Sequence, residues 1–160
     1  PKLPGGYRAW ADVMPVGGHQ QYVMARLGGA YHPSHIDRTV SYKATVSGYH
    51  FTLTFDTPPV AGGEAMGHIH ITDASGKPVT SLEPLMGAYG HIVGFYDDYY
   101  TVVHTHPMGD EPKDAHERGG PDLAFHLAPT KPEFIKLFAQ VKIHGKEVFA
   151  PFGVRVGKGS

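Results

Sequence analysis

The sequence contains no cysteine, which excludes disulfides and thiolate metal sites. It also has no apolar run near the ~18 residues that a membrane helix requires, no nucleophile elbow and no glycine-rich phosphate-binding motif leading into a helix. Neither sign of charge dominates, with 14 basic and 15 acidic residues, so we expect no nucleic-acid partner. At 160 residues, the chain can bury one hydrophobic core without covalent staples.

Histidine, in contrast, is abundant, with 12 in the chain. The most informative ones flank two apolar segments, 92–96 and 100–103. Gly90-His91 precedes the first segment, and His104-Thr105-His106-Pro107 ends the second. Because β-branched and aromatic residues surround the turn-forming pair Asp97-Asp98, this region predicts a β-hairpin.

Two registers of this hairpin are compatible with its pattern. A two-residue loop sets His91 opposite His104, and a four-residue loop sets His91 opposite His106. In either register the three imidazoles share a face, and directly opposed Cβ atoms lie roughly 4.5–5.5 Å apart. Neutral imidazoles are costly to desolvate together unless a cation accepts their lone pairs. The sequence therefore predicts a metal site at His91, His104 and His106, where imidazole ligands suit copper, zinc, nickel or iron, and a three-histidine set with an open position is common to catalytic zinc and type-2 copper sites.

The chain changes character near residue 37. Residues 1–36 are rich in glycine, proline and aromatic residues, which predicts an irregular N-terminal arm, and its aromatic side chains suggest contact with the domain or with a second copy in a homodimer. Residues 37–157 alternate between apolar and polar positions in short segments separated by turns. This pattern predicts an all-β fold, an antiparallel β-sandwich of immunoglobulin or cupredoxin-like type with seven or eight strands.

Further histidines lie opposite apolar stripes. His68 and His70 alternate with isoleucines, and His126 alternates with Phe125 and Leu127, so we expect these imidazoles on a solvent-facing surface. If their strands share one surface, His68, His70 and His126 form a second metal cluster. Thioethers favour Cu(I) and a carboxylate suits zinc or Cu(II). The candidates for a fourth ligand of the main site, all from nearby loops, are Met86, Met108, Glu83 and His116.

Two other functional classes stay open. His104-x-His106 followed by Glu111 is similar to the first cupin motif, which implies a small metal-dependent oxidoreductase with Glu111 as a ligand. The match is partial, because Asp98 stands where that motif has glycine and Gly119 falls one place late. The third class is a metal-free interaction module that uses the aromatic arm.

Four segments together resemble a group of secreted bacterial β-sandwich proteins that are often encountered beside copper or heavy-metal handling functions. The likeness covers residues 64 to 156, and its segments are Leu82-Glu83-Pro84, Gly87-Ala88-Tyr89-Gly90-His91, His104-Thr105-His106-Pro107 and Ala150-Pro151-Phe152. The resemblance implies that His91, His104 and His106 are metal ligands. It leads us to expect a periplasmic or secreted copper-binding protein, its signal peptide removed, that sequesters copper or passes it to a metal-transfer partner.

Overall fold

The computed structural model describes residues 7–13, 21–28, 37–98 and 100–159, without the side chains of residues 12, 21, 22 and 104. This part of the chain contains strands and no helix, and hence no helix long and apolar enough to cross a membrane. The strands are β1 (Tyr7–Val13), β2 (Gln21–Leu27), β3 (Lys43–Val46), β4 (Tyr49–Phe55), β5 (Ala65–Thr72), β6 (Leu82–Glu83), β7 (Gly90–Tyr96), β8 (Val102–Met108), β9 (Asp122–Ala128), β10 (Phe134–Ile143) and β11 (Lys146–Arg155).

The chain divides into two compact units, Pro1–Asp37 and Arg38–Ser160. In the first unit, β1 and β2 pair along their whole length as an antiparallel hairpin. The prediction of a wholly irregular arm was therefore wrong. In the sequence, the glycine pairs at positions 5–6, 17–18 and 28–29 lie before, between and after the two strands, so they separate strands instead of interrupting them. The homodimer expected through this arm stays a prediction.

The second unit is an antiparallel β-sandwich, as the alternation predicted. One sheet has the order β11-β10-β7-β8, with the short β6 on β10, and the other has the order β8-β9-β5-β4-β3. The described part of this unit thus has nine strands, eight of them four residues or longer, where the sequence predicted seven or eight. Just before β3, Ser41 and Gly153 of β11 exchange two backbone hydrogen bonds, which join the far ends of the two sheets.

The core lies between the two sheets and follows from the period-two pattern. Apolar side chains at alternate positions point inward and are at most 7% exposed, while their neighbours in sequence face outward. The largest fully buried side chains are Phe51, Leu53, Ile69, Ile71, Leu82, Tyr96, Phe125, Leu127, Ile135, Leu137, Ile143 and Phe152. Burial of this set fixes which face each histidine occupies.

The loop between β7 and β8 adopts the longer of the two predicted forms. Tyr96 N–H donates to the Thr101 carbonyl at 3.0 Å, which confirms the four-residue loop. The Asp98 carboxylate closes this loop by accepting hydrogen bonds from Tyr100 N–H at 2.7 Å and Thr101 N–H at 2.8 Å. Partial burial raises the pKa of Asp98, but these bonds outweigh it and leave the pKa below its usual value.

Candidate functional site

Strand β8 changes partner halfway along its length. It pairs with β7 only at Gly94–Val103 and Phe95–Val102, and from His104 onward it pairs with β9. At the next hydrogen-bonding position the Thr105 hydroxyl, not a backbone amide, donates to the Ile92 carbonyl. The two strands therefore diverge beyond this bond.

A cleft of about 330 Å³ opens where β7 and β8 separate. Two of the glycines that line it are packed closely against neighbouring side chains. A methyl group on Gly90 would lie 2.6 Å from Leu123 Cδ1, and one on Gly119 would lie 2.6 Å from the Tyr89 ring. The lining side chains with metal-donor atoms are Met86, His91, Met108, Asp110, Glu111 and Asp122.

His91 enters this cleft in a defined tautomer. Its Nε2 lies 2.8 Å from the Leu85 carbonyl oxygen. Because a carbonyl oxygen only accepts, Nε2 must carry the proton, and in the neutral ring Nδ1 then presents a lone pair. Metal-binding histidines commonly show this arrangement, in which one ring nitrogen donates to a carbonyl and the other binds the ion.

Met86 lines the same cleft as His91 and has an unusual backbone conformation. Leu85 and Ala88 exchange two backbone hydrogen bonds of 2.8 and 3.1 Å around the pair Met86-Gly87, whose φ angles are 48° and 83°. These angles are those of a type I′ turn, where asparagine, aspartate and glycine are favoured at the first position. The turn nevertheless carries a methionine, and that residue is 72% exposed.

Met108 supplies a second accessible thioether at the end of β8, where it is 48% exposed. Methionine usually fills gaps in hydrophobic cores. Neither Met86 nor Met108 does so, and both line the cleft that contains His91. The cleft therefore combines one imidazole and two thioethers, a donor set that suits Cu(I).

The other two candidate fourth ligands lie elsewhere. The Glu83 carboxylate accepts a hydrogen bond from Gly145 N–H at 2.7 Å and lies 3.5 Å from Lys142 Nζ. The Gly145 bond is the main reason that the pKa of Glu83 lies below its usual value, so this residue holds the β10–β11 turn. His116 is in the segment between β8 and β9, where its N–H donates to Asp114. Neither Glu83 nor His116 is among the described residues that line the cleft.

A second group of histidines occupies the outer surface of β8, β9, β5 and β4. We call this surface the histidine face, and its described members are His50, His68, His70, His106 and His126. His106 and His126 are direct partners across β8 and β9, and Met66 faces His126 from β5. His104 lies opposite Ala128 in the same ladder, but its side chain is outside the described residues.

Carboxylates accompany three of these imidazoles. His68 Nε2 lies 3.0 Å from Asp56 Oδ1, and His70 Nδ1 lies 2.6 Å from Asp122 Oδ1. His126 Nδ1 lies 3.8 Å from Glu64 Oε2. These pairs are substantially exposed, so they contribute little to the free energy of unfolding. They do orient the rings and place negative charge on the histidine face.

The predicted ligands are thus distributed over two places. His91 lines the cleft, whereas His106 lies opposite His126 on the histidine face. The four-residue loop would bring His91 level with His106, but the β7–β8 ladder ends before reaching them. His68, His70 and His126 share one surface, as the second predicted cluster requires, although each has its own carboxylate. Within the side chains that the structure describes, no three histidine or acidic groups converge closely enough to hold a metal.

Sequence reasoning missed two features of these places. It did not find the exposed turn at Met86-Gly87, although a methionine followed by glycine between apolar segments is compatible with a tight turn. It also left His50 out of the candidate ligands. The alternation of His50 with Phe51 and Leu53 was the available signal, because it set His50 on the outer side of a strand.

Comparison with known families assigns the β-sandwich to a family but indicates no activity. A family model described as a domain of unknown function, DUF8832, matches residues 44–158, well over half of the chain. The chain belongs to the DUF8832 family. The match extends from β3 to just beyond β11, so the DUF8832 domain includes both the cleft and the histidine face. No curated protein matches the chain.

Proposed function

We propose that this protein is an extracytoplasmic copper-binding protein that sequesters copper or passes it to a partner, and that its cleft is the principal site. His91, Met86 and Met108 are the proposed ligands. The observation that carries the proposal is the turn at Met86-Gly87, which places an exposed thioether on the cleft that His91 also lines, and His91 already has one ring nitrogen bonded to the Leu85 carbonyl. Neither feature serves the hydrophobic core.

The donor chemistry favours copper over zinc. Imidazole and thioether are soft or borderline donors that suit Cu(I), whereas zinc in proteins is held by thiolate, imidazole and carboxylate. Asp110 and Glu111 add negative charge to the same cleft, which attracts a cation. The exposure of both methionines supports a transfer role, because a partner protein can then reach the ligands and exchange them one at a time.

A competition titration with Cu(I) and a chromophoric chelator tests the site. We expect His91→Ala, Met86→Leu and Met108→Leu each to weaken Cu(I) binding by about tenfold or more. Loss of a residue that only supports a metal ligand already weakens metal binding by roughly 10- to 100-fold, and loss of a ligand itself should cost at least as much. The matched control is Met66→Leu, which removes a thioether from the histidine face and not from the cleft. Equal Cu(I) affinity in all four variants and the parent protein would remove the cleft from consideration.

The same preparation separates the other two classes. A cupin-like oxidoreductase needs Glu111 together with His104 and His106, yet Glu111 lines the cleft while His106 lies opposite His126. We expect Glu111→Gln to change Cu(I) affinity much less than the cleft variants do. Metal analysis of the protein as purified, and after loading with copper, distinguishes a copper protein from a metal-free interaction module.

A further inference from the structure

Strand β1 lies at the edge of a very small sheet. Among the residues that the structure describes in the first unit, this sheet has two strands, so β1 has β2 on one side and forms a sheet edge on the other. A hairpin of two strands is at best marginally stable by itself in water, and a third strand is among the additions that stabilise it. An edge strand also presents backbone groups to which another strand can add. The free side of β1 is therefore a place where a further strand would stabilise the hairpin.

The sequence of β1 is symmetric about its central residue, Trp10. Positions at equal distance from Trp10 carry matching or complementary residues, in the order Tyr7-Arg8-Ala9-Trp10-Ala11-Asp12-Val13. The two neighbours of the tryptophan are alanines, the next two positions carry opposite charges, and the two end positions are apolar. Because an antiparallel partner runs in the opposite direction, a second copy of β1 presents the complement of the first at every position.

We infer that two copies of this chain associate through β1, which pairs antiparallel with β1 of the second copy about a two-fold axis at Trp10. In this register Arg8 lies opposite Asp12 of the second copy. A two-fold interface makes every contact twice, so Asp12 also lies opposite Arg8 of the second copy. Directly opposed residues of opposite charge stabilise an antiparallel pair, whereas like charges destabilise it. The product is a four-stranded sheet with the order β2-β1-β1-β2.

This register also aligns the two sides of the hairpin. Odd-numbered residues of β1 share one side and even-numbered residues share the other, and pairing about Trp10 joins odd positions to odd and even to even. Tyr7 then lies opposite Val13 of the second copy, which covers a valine that is 39% exposed in the single chain. A shift of two residues in either direction keeps the sides aligned but separates Arg8 from Asp12. The charges therefore select one register.

Strand β2 does not have this symmetry. Its central residue is Met24, and an antiparallel pair about Met24 would set Tyr22 opposite Arg26 and Gln21 opposite Leu27, so no opposite charges would meet. The contact is accordingly assigned to β1. Strand β1 belongs to the first unit, whereas all residues that line the cleft belong to the second. Dimerisation through β1 is therefore independent of the proposed function.

Sedimentation equilibrium of the full chain at low ionic strength tests the charge pairs. We expect the parent to dimerise, and Arg8→Asp and Asp12→Arg each to weaken dimerisation by about tenfold or more, because like charges then meet at both symmetric positions. An equimolar mixture of these two variants should dimerise as the parent does, since opposite charges meet again in the heterodimer. The control Arg155→Asp makes the same change at an exposed position of β11 and should have no effect. A monomeric parent overturns the inference, as does a mixture that dimerises no better than its components.

Cross-linking tests the position of the two-fold axis. The chain has no cysteine, so a single substitution introduces a single thiol. Directly opposed residues of an antiparallel pair have Cα atoms about 4.5–5.5 Å apart, within the range of about 4.4–6.8 Å that a disulfide spans. We expect Trp10→Cys to give a disulfide-linked dimer on mild oxidation, and Met24→Cys, at the position opposite Trp10 on β2, to give far less. Efficient cross-linking of Met24→Cys in place of Trp10→Cys would assign the contact to β2 and overturn the inference.

Copper binding separates this inference from the proposed function. Arg8→Asp and Asp12→Arg should bind Cu(I) as the parent does, because neither residue lines the cleft. A parent protein that binds Cu(I) in the cleft but stays monomeric overturns only the inference about β1. A dimer that responds to the charge variants as expected but binds no Cu(I) overturns only the proposed function.

Discussion

Replacing Thr105 by valine tests how the cleft is formed. Thr105 is 5% exposed, and its hydroxyl donates to the carbonyl of Ile92, a residue that is itself only 7% exposed. The Tyr96 N–H points toward β8, where it donates to Thr101. Because hydrogen-bonded pairs recur at every second residue of an antiparallel strand, the Ile92 carbonyl also points toward β8. There the backbone of Thr105 already pairs with Leu127 of β9. The hydroxyl thus substitutes for the missing ladder bond.

The expected cost follows from that geometry. Valine has nearly the shape of threonine and the same β-branching, so Thr105→Val opens no cavity and does not disfavour the strand. It leaves the Ile92 carbonyl buried without its donor, which costs about 1–3 kcal/mol. In a domain of this size we expect the melting temperature to fall by roughly 3–10 °C.

Urea denaturation and thermal unfolding measure the effect, and Thr105→Ser is the control. Serine keeps the hydroxyl and loses a buried methyl group, for which we expect a cost of about 0.5–1.5 kcal/mol. Thr105→Val should therefore destabilise the protein at least as much as Thr105→Ser does. In Thr105→Val, amide hydrogen exchange should also become faster at the end of the β7–β8 ladder. If Thr105→Val were as stable as the parent while Thr105→Ser was weakened, the methyl group would matter and the hydrogen bond would not.

Two further predictions concern packing and pH. A methyl group on Gly67 would overlap the fully buried Phe125 ring, so we expect Gly67→Ala to destabilise the sandwich by about 1–3 kcal/mol in urea denaturation, and an unchanged midpoint would contradict the packing described. Glu83→Gln should destabilise the protein near neutral pH by weakening the bond from Gly145. Because the pKa of Glu83 is lower in the folded state than its ordinary 4.5, its contribution is present above that value and disappears as the pH falls through the folded pKa. The parent and Glu83→Gln should therefore converge in acid, and a gap that persists there would argue against this role.

The alternation of apolar and polar residues was sufficient to predict the strands of the sandwich and which face of each strand is buried. In β5, residues Ala65, Gly67, Ile69 and Ile71 are all buried, as their alternation with polar neighbours predicted, and this placed His68 and His70 on the outer side. The pattern could not choose between a two-residue and a four-residue loop, because both keep the same faces aligned. The hydrogen bonds of Asp98 accompany the longer loop.

The partner change of β8 could not be predicted in the same way. Alternation continues without a break through Val103 and Thr105, both buried, whether the strand pairs with β7 or with β9. A pattern along one strand reports which side is buried and not which strand lies next to it. For that reason the sequence extended the hairpin to His91 and His106, and it did not identify the opposition of His106 and His126.

The double hydrogen bond between Ser41 and Gly153 has a consequence for behaviour in concentrated solution. A strand at the border of an open sheet offers unsatisfied amides and carbonyls to which a foreign chain can add. Here the backbone groups of Ser41 and Gly153, at the two borders, satisfy each other through hydrogen bonds of 2.9 and 3.0 Å. Glycine is required there because a side chain would collide with the Thr39 carbonyl. The closure protects this corner of the sandwich against templated β-aggregation.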